Sequence, residues 1–269
     1  MPAYVIRGGA AGRERLRILG RVVQPTTRAL LERAGVRAGL SCLDVGCGGG
    51  DATFELAQMV GPTGRVVGLD MDATKIELAR REATQRQLEH VAFHVADAAE
   101  DRGGEFDVVF SRFVLTHLPD PLATLTHMVR RLRPGGLAIV EDIDFRGHFC
   151  HPDNWAFRRY VELYIETVRR RGADANIGPR LPSLLRAAGC DGVAVQVVQP
   201  AGLTGEVKLI AAITMENIAD AVLAEQLATH AEIDRLVDEL HAIAADDQTL
   251  ISLPRIVQAW GRRDATDLR

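Results

Sequence analysis

The chain has 269 residues, of which 47% are hydrophobic and 25% are charged, and its formal net charge is −4. This composition is typical of a globular protein with one large core. It argues against nucleic-acid binding, which needs clustered Lys and Arg side chains to neutralise phosphates. The four cysteines form no C-x-x-C pair, and no secretory signal or apolar run of about 18 residues is found, so we expect a cytoplasmic protein without a membrane segment.

Predicted helices and strands alternate through the first half of the chain. Residues 1–40 contain two predicted helices, around Arg13–Val23 and Pro25–Ala34. The apolar runs that follow predict strands at Leu43–Val45, Arg65–Asp70, Val91–Ala96, Phe106–Ser111 and Leu137–Asp142. Between them we predict three helices. The first is at Thr53–Val60, and the second follows the N-cap Asp72 and has Ile76, Ala79 and Ala83 on one face. The third is at Asp120–Leu132, with Leu122, Leu125, Val129 and Leu132 facing inward. This alternation indicates right-handed crossovers and a parallel sheet covered on both faces.

The second half of the sequence is less regular. It predicts helices at Trp155–Arg171, Leu181–Ala188, Glu206–Leu227 and Ala231–Ala245, the last with a Thr229–Glu232 capping box, and strands at Val193–Val198 and Ser252–Gly261. We therefore expect a helical lid segment at 1–40, a cofactor-binding core at 41–142 and a helical substrate cap at 143–190. Residues 191–269 would complete the sheet, with a helical insertion at about 200–248.

The stretch "LDVGCGGGDATFELA" (Leu43–Ala57) indicates a strand, a glycine-rich turn and a helix, the arrangement that holds nucleotide-like ligands. A dinucleotide fingerprint would have glycine at position 51, where this chain has Asp51. Asp44 heads the loop and would repel a pyrophosphate by about 4 kcal/mol at 4 Å in an effective dielectric near 20. S-adenosylmethionine carries an ammonium and a sulfonium and has no phosphate, so Asp44 suits it. The alternative is a glycine turn that only joins strand to helix.

Two further carboxylates follow the next two strands. Asp70 ends the second strand, where a carboxylate accepts both hydroxyls of a ribose, in NAD as well as in S-adenosylmethionine. Asp97 follows the third strand and could accept from an adenine amine while the Ala98 N–H donates to the ring. The alternative for Asp97 alone is a solvated loop carboxylate. Ligands of open parallel sheets bind at the carboxyl ends of the strands, so the three acidic residues Asp44, Asp70 and Asp97 together indicate one site.

The segments "LDVGCGGG", "VVGLDMD", "HVADAAE", "FDVVFSRFVLTHLPDP" and "LRPGGLAIVED" together resemble those of class I S-adenosylmethionine-dependent methyltransferases. The resemblance is greatest to the small-molecule branch, as in bacterial natural-product and quinone methyltransferases. It implies an α/β fold with a doubly wound, mostly parallel seven-stranded Rossmann-like sheet, an antiparallel last strand and added helical lid elements.

The resemblance also implies roles for particular residues. Asp44 and the loop backbone at Gly46, Cys47 and Gly48 would hold the methionine end, which Ser111 and Arg112 would line. Asp70 would bind the ribose, Met71 would pack on the adenine, and Asp97 with Ala98 would read its edge. In this branch the N-terminal segment often covers the cofactor, so Tyr4 could cap the methionine end; a disordered N-terminus is the alternative.

The candidate catalytic residues lie just beyond the fourth and fifth strands. His117 is a candidate general base, because the ordinary pKa of histidine suits proton transfer near neutral pH. The alternative for His117 is a helix-entry histidine that bonds to the backbone. Glu141 or Asp142 could bind an acceptor hydroxyl or amine. The spacing of His148, Cys150 and His151 matches no metal motif, so we expect no metal, and we interpret the Phe157–Tyr160–Tyr164 stripe as core packing.

The sequence therefore predicts a methyltransferase that moves a methyl group from S-adenosylmethionine to an O, N or C atom of a small molecule, such as a secondary metabolite, leaving S-adenosylhomocysteine. The acceptor itself cannot be read from the sequence. Two alternatives stay open: an S-adenosylmethionine-binding protein without methyl transfer, and a NAD-dependent oxidoreductase. The partners that we expect are the small-molecule acceptor and, as an option, a second copy in a homodimer; we expect neither nucleic acid nor a membrane.

Overall fold

A seven-stranded sheet forms the centre of the computed structural model, which describes residues 9–97 and 105–264. In chain order the strands are β1 (Ser41–Val45), β2 (Arg65–Asp70), β3 (Val91–Val95), β4 (Phe106–Arg112), β5 (Leu132–Asp144), β6 (Cys150–His151), β7 (Cys190–Val198), β8 (Ala201–Gly202), β9 (Leu250–Ser252) and β10 (Arg255–Arg263). The large sheet has the order β3-β2-β1-β4-β5-β10-β7. Strand β10 pairs antiparallel with both β5 and β7, whereas β1 to β5 pair in parallel. The predicted fold class is confirmed.

Eight α-helices surround the sheet in the described residues. They are α1 (Gly9–Ala34), α2 (Asp51–Val60), α3 (Ala73–Gln85), α4 (Pro121–Arg130), α5 (Trp155–Arg170), α6 (Leu181–Ala187), α7 (Ile210–Ala224) and α8 (His230–Ala245). Side chains cap several of them: Asp72 accepts from two backbone N–H groups of α3, Asp120 from one of α4, and Thr229 from the Glu232 N–H of α8. These caps satisfy donors that have no partner within their own helix, which fixes where each helix begins.

The N-terminal helix differs from the prediction. The two expected helices are one continuous helix, α1, with Pro25 inside it. A proline removes one backbone hydrogen bond and normally kinks or ends a helix. Here Val23 on one side of it and Leu30 and Leu31 on the other are fully buried, so tertiary packing holds both halves in one helix.

Three further expectations are corrected. Leu122 does not face inward but is 37% exposed on α4. The fifth strand begins at Leu132 and not at Leu137, and it contains an irregularity, because Leu132 pairs with Phe106 while Leu137 already pairs with Val108. The predicted last strand is divided into β9 and β10 around Pro254, which has no N–H to donate to a ladder. Strand β9 instead joins β6 and β8 in a small sheet that the sequence did not predict.

Helices α1, α5, α7 and α8 form a second packing layer beside the sheet. Their buried faces, with Ile143 and Phe145 at the end of β5, make one hydrophobic cluster, which includes Tyr160, Tyr164 and Met215. This cluster stands at the carboxyl end of the parallel strands, where ligands of such sheets bind. No helix in the described part of the chain is long and apolar enough to cross a membrane.

His148 lies in this layer among aromatic rings. Its ring centroid is 5.2 Å from that of Phe145, 4.7 Å from that of Phe157 and 5.7 Å from that of Tyr160, all edge-on. Burial lowers the pKa of His148 to about 3. The folded state therefore holds a neutral imidazole, whereas the unfolded chain binds a proton below about pH 6.5.

His148→Phe should remove a pH-dependent loss of stability. Between the folded and unfolded pKa values only the unfolded state binds the proton, so the wild type loses stability as pH falls. Relative to wild type, the variant should gain about 1.4 kcal/mol between about pH 7.5 and about pH 5.5, as measured by urea unfolding. His94→Phe, at an exposed position on β3, is the control and should show no such trend. A stability difference for His148→Phe that is the same at both pH values would contradict a neutral, buried imidazole.

Candidate functional site

A cavity of about 940 Å³ opens at the carboxyl end of the strands, between the sheet and the layer of added helices. The loop after β1, the ends of β2 and β4 and the residues after β3 form one side, and α1, α5 and α7 form the other. Nine of the residues predicted to bind the cofactor or to act in catalysis line it: Asp44, Gly46, Cys47, Gly48, Asp70, Met71, Asp97, Arg112 and His117.

The glycine loop, residues 46–50, has a backbone that other residues rarely adopt. The φ angles of Gly46, Gly48 and Gly50 are +71°, +55° and +89°, in the left-handed region. A Cβ on Gly46 would lie 2.3 Å from Val114 Cγ2, and a Cβ on Gly49 would lie 2.0 Å from the Arg13 Nε. The loop therefore needs glycine both for its backbone angles and for close approach to its neighbours.

Asp70 fixes this loop to the neighbouring strand. Its Oδ2 accepts from the Gly48 N–H at 2.8 Å, and its Oδ1 accepts from the Asp72 N–H at 2.9 Å. The carboxylate thus stands between the glycine loop and the start of α3, with its remaining lone pairs at the cavity. Met71 beside it is 59% exposed, so its thioether side chain is free to cover a flat ligand.

Asp44 supplies a negative charge at the base of the loop. The residue is 1% exposed, and its Oδ2 accepts a hydrogen bond of 2.6 Å from the Thr53 hydroxyl. Burial raises the pKa of Asp44 to about 6, while the Thr53 hydrogen bond and the charge of Arg112 oppose the shift. A cation in the cavity would favour the ionised carboxylate, so this end of the cavity suits a positively charged group.

Helix α1 lies across the glycine loop. The Arg13 guanidinium contacts Asp51 at 2.8 Å and Glu82 at 3.2 Å, and so links α1 to the first turn of α2 and to α3. The Leu16 side chain comes close to Gly48, where an added Cβ would be 3.1 Å from Leu16 Cδ1. The described part of the N-terminal segment therefore covers the cavity, whereas the predicted cap residue Tyr4 and the adenine contact Ala98 lie outside the described residues.

His117 ends a short 3-10 helix, Leu115–His117, and lines the cavity. Burial, together with the positive charges of Arg15 and Lys75, lowers the pKa of His117 to about 3. The expectation that His117 titrates near neutral pH is therefore corrected: the imidazole is neutral and weakly basic.

Asp142 and Ser111 do not line the cavity, which corrects both expectations. The two Asp142 carboxylate oxygens accept from the backbone N–H groups of Thr116 and Ile143 at 3.1 and 2.8 Å, and burial raises its pKa to about 7. Asp142 thus positions the 3-10 helix that carries His117. The Ser111 hydroxyl donates to the Val45 carbonyl at 3.1 Å, beneath the glycine loop.

Glu141 also has a structural role. Glu141 is fully buried and accepts from the Thr27 hydroxyl at 2.9 Å and from Gln258 Nε2 at 3.1 Å, which ties α1 to β5 and β10. Within residues 9–97 and 105–264, no group of three or more His, Cys, Asp or Glu side chains is arranged to hold a metal ion.

The far end of the cavity is made by residues that the sequence analysis assigned to the core or passed over. Tyr160 and Tyr164 are buried in the helical layer, as expected, but they also border the cavity. Arg15 on α1 and Thr214 on α7 join them. The local sequence does not distinguish Arg15 from the other arginines of α1. Its burial depends on how α1 packs against α7.

Comparison with known proteins agrees with this geometry. Residues 37–166 match the sequence profile of a methyltransferase domain. A demethylmenaquinone methyltransferase of Lactococcus lactis is 34% identical over 140 residues, which are 51% of this chain and 53% of that protein. The chain thus matches about half the length of this curated relative.

Two solved structures share the fold at low identity. A phosphoethanolamine N-methyltransferase of Haemonchus contortus, in complex with S-adenosyl-L-methionine, has a TM-score of 0.55 at 22% identity, covering 88% of this chain and 51% of that one. The [4+2]-cyclase SpnF has a TM-score of 0.52 at 21% identity, covering 89% and 80%. Residues 37–166 are therefore similar to a methyltransferase domain, within a fold that both solved structures share.

Proposed function

We propose that the chain transfers the methyl group of S-adenosylmethionine to an apolar small molecule of the quinol type. The observation that carries the proposal is the polarity of the cavity at the carboxyl end of the strands. One end combines Asp44, Asp70 and a glycine loop that leaves no room for side chains. The other end is lined mainly by aromatic and aliphatic residues of α1, α5 and α7, with the polar side chains Arg15, Thr214, Asn217 and Asp220 among them.

The residues at the polar end fit this cofactor. Asp44 would hold the ammonium. The backbone of Gly46 and Gly48 would approach the methionine end, because both glycines line the cavity without a side chain. Asp70 would accept the ribose hydroxyls, and Met71 and Asp97 would face the adenine. When bound, S-adenosylmethionine supplies an electrophilic methyl group on a sulfonium. The chain contributes orientation, and α1 over the loop excludes water.

The residues at the apolar end fit a flat, hydrophobic acceptor. Phe113, Phe145, Tyr160, Tyr164 and Ile210 all border it. Aromatic side chains at such positions bind ring systems through their faces and edges. The L. lactis relative is a demethylmenaquinone methyltransferase, which supports a quinol nucleus as the acceptor class, although the similarity extends over only half of each protein.

His117 would contact the acceptor as a neutral imidazole. Its position on the cavity wall is the one expected of a base, but general-base catalysis is most efficient when the pKa lies near the working pH. Because the pKa of His117 is about 3, its imidazole would accept a hydrogen bond from a hydroxyl of the acceptor but would not take up the proton of that hydroxyl.

The proposal is tested by binding and turnover. In calorimetry the protein should bind S-adenosylhomocysteine and should not bind NAD; the reverse would favour an oxidoreductase. With S-adenosylmethionine and 1,4-naphthohydroquinone in oxygen-free buffer, a methylated naphthol product should form together with S-adenosylhomocysteine. Cofactor binding without turnover on any of a panel of apolar hydroquinones and phenols would overturn the transferase assignment and favour a binding role.

Gly46→Ala should weaken the binding of S-adenosylhomocysteine at least ~10-fold, a loss of about 1.4 kcal/mol. The added Cβ must displace Val114 or the loop itself, since it would lie 2.3 Å from Val114 Cγ2. Gly35→Ala is the matched control, because Gly35 has φ +97° but nothing within 4 Å of its added Cβ. Both variants carry the same kind of backbone strain, so similar affinities in calorimetry would argue against the loop as the binding site.

The affinity for S-adenosylhomocysteine should fall about 10-fold between about pH 7 and about pH 5. Its ammonium needs the ionised Asp44 carboxylate, and the pKa of Asp44 in the free protein is raised to about 6. Below that pH the carboxyl group must lose a proton before the cation binds, so affinity decreases by about a factor of ten per pH unit. Asp44→Asn should bind weakly at every pH and show little of this trend; a variant with the wild-type pH dependence would remove Asp44 from the site.

His117→Ala should lower kcat by less than about 10-fold and leave the shape of the pH–rate profile unchanged from about pH 5.5 to about pH 8.5. Because the pKa of His117 is about 3, its imidazole does not change charge in this range. A general base would instead contribute about 10²–10⁴-fold. Single-turnover rates with wild type and variant decide between the two, and a loss in that larger range would restore His117 as the base.

A further inference from the structure

Arg15 is a buried cation at the apolar end of the cavity. The residue is 7% exposed, and its Nε donates to the Thr214 hydroxyl oxygen at 3.1 Å. Thr214 in turn interacts with the Tyr160 hydroxyl, whose pKa burial raises. In the part of the chain that the structure describes, this is the one hydrogen bond that the Arg15 guanidinium makes to protein, and it makes no ion pair.

The other cations around the cavity have carboxylate neighbours. Arg13 pairs with Asp51 and Glu82, Lys75 lies 3.6 Å from Asp72, and Arg171 lies 3.9 Å from Glu225. Arg112 is close enough to Asp44 and Glu141 to lower the pKa of both. A buried guanidinium without a counter-charge is unfavourable, and such charges in proteins are paired or bind a ligand of opposite sign.

The direction of Arg15 separates it from the cofactor end. On α1, Arg13, Leu16 and Gly20 face the glycine loop and the start of α2. Arg15 lies about 100° around the helix from Leu16, on the side that meets Thr214 of α7 and Tyr160 of α5. Its charge also acts on His117, which lines the same cavity.

We infer that Arg15 binds an anionic oxygen of the methyl acceptor and thereby selects acceptors that carry an acidic hydroxyl. This inference rests on the proposed function and names the acceptor chemistry of the same site. An opposite charge within about 4–6 Å lowers the pKa of an acid by 1–3 units. Arg15 would favour the ionised form of a phenol or enol, whose proton leaves to solvent, so that no strong protein base is required. The methionine carboxylate of the cofactor is a second anionic group that Arg15 could bind. The experiment must therefore distinguish binding of this carboxylate from binding of the acceptor oxygen.

The experiment uses the full chain saturated with S-adenosylhomocysteine, with 1-naphthol as the acidic probe and 1-methoxynaphthalene as its non-acidic counterpart. Naphtholate absorbs at longer wavelength than naphthol, so a pH titration gives the pKa of the bound probe. The variants are Arg15→Met, the conservative Arg15→Lys, and Arg17→Met as a control at an exposed position on the same helix. Arg15→Met replaces an unpaired buried charge with an apolar side chain of similar length, so its melting temperature should not fall.

Wild type and Arg17→Met should lower the pKa of bound naphthol by about 1–3 units, Arg15→Lys by less, and Arg15→Met by almost nothing. Arg15→Met should also lose the preference for naphthol over 1-methoxynaphthalene while keeping the wild-type affinity for S-adenosylhomocysteine. An unshifted or unbound naphthol in wild type, or an equal shift in Arg15→Met, overturns the inference. A loss of S-adenosylhomocysteine affinity with the naphthol shift intact would assign Arg15 to the cofactor carboxylate instead.

The proposed function fails separately, if wild type does not bind S-adenosylhomocysteine at all. The naphthol titration without it then still decides whether Arg15 stabilises an anionic oxygen.

Discussion

The site depends on one interaction, the hydrogen bond from the Gly48 backbone N–H to the Asp70 carboxylate. It joins the loop after β1 to the end of β2, and it requires Gly48 to hold a left-handed backbone. The same carboxylate accepts from the Asp72 N–H, and Asp72 in turn caps α3. The Asp70 side chain therefore sets the position of the glycine loop, the start of α3 and one wall of the cavity. A movement of β2 against β1 would displace all three.

Helix α1 extends this arrangement from the sheet to the added helices. Its Arg13 pairs with Asp51 at the start of α2, and its Thr27 donates to the buried Glu141 of β5. Its opposite side meets α7 through Arg15 and Thr214. These bonds hold α1 against the core, because leaving any of the buried groups unpaired would cost about 1–3 kcal/mol each. The position of α1, and with it the shape of the cavity, is therefore fixed by these bonds.

The sequence predicted those parts whose signal is local. Asp70 could be assigned because it follows an apolar run by one residue, and Asp72 because a capping side chain precedes its own helix. The parts that it missed depend on long-range packing. The continuity of α1 through Pro25 is decided by partners more than 100 residues away, such as Glu141, and propensity is a weak guide there. Ser111 and Asp142 stand beside the expected positions, but their side chains bond to neighbouring backbone groups. Whether a carboxylate at a strand end faces a ligand or the backbone cannot be read from its place in the chain.

Asp44 and Arg15 place opposite charges in different parts of the cavity, and their surroundings are unequal. Asp44 is stabilised by a hydroxyl donor at 2.6 Å and by the nearby Arg112, so its end of the cavity can hold a charge before any ligand arrives. Arg15 has a single neutral partner. The free protein therefore keeps a carboxylate with a stabilising hydrogen bond and a guanidinium without an ion-pair partner in one cavity, which the neutral His117 also lines. An electrophilic cation and an anionic acceptor would each find the complementary end, and each would reduce the unfavourable burial of the charge that it meets. With the charges arranged in this way, the chain would orient two reactants of opposite charge by electrostatic attraction. Alignment of the reactants would then be its main contribution to the rate of methyl transfer.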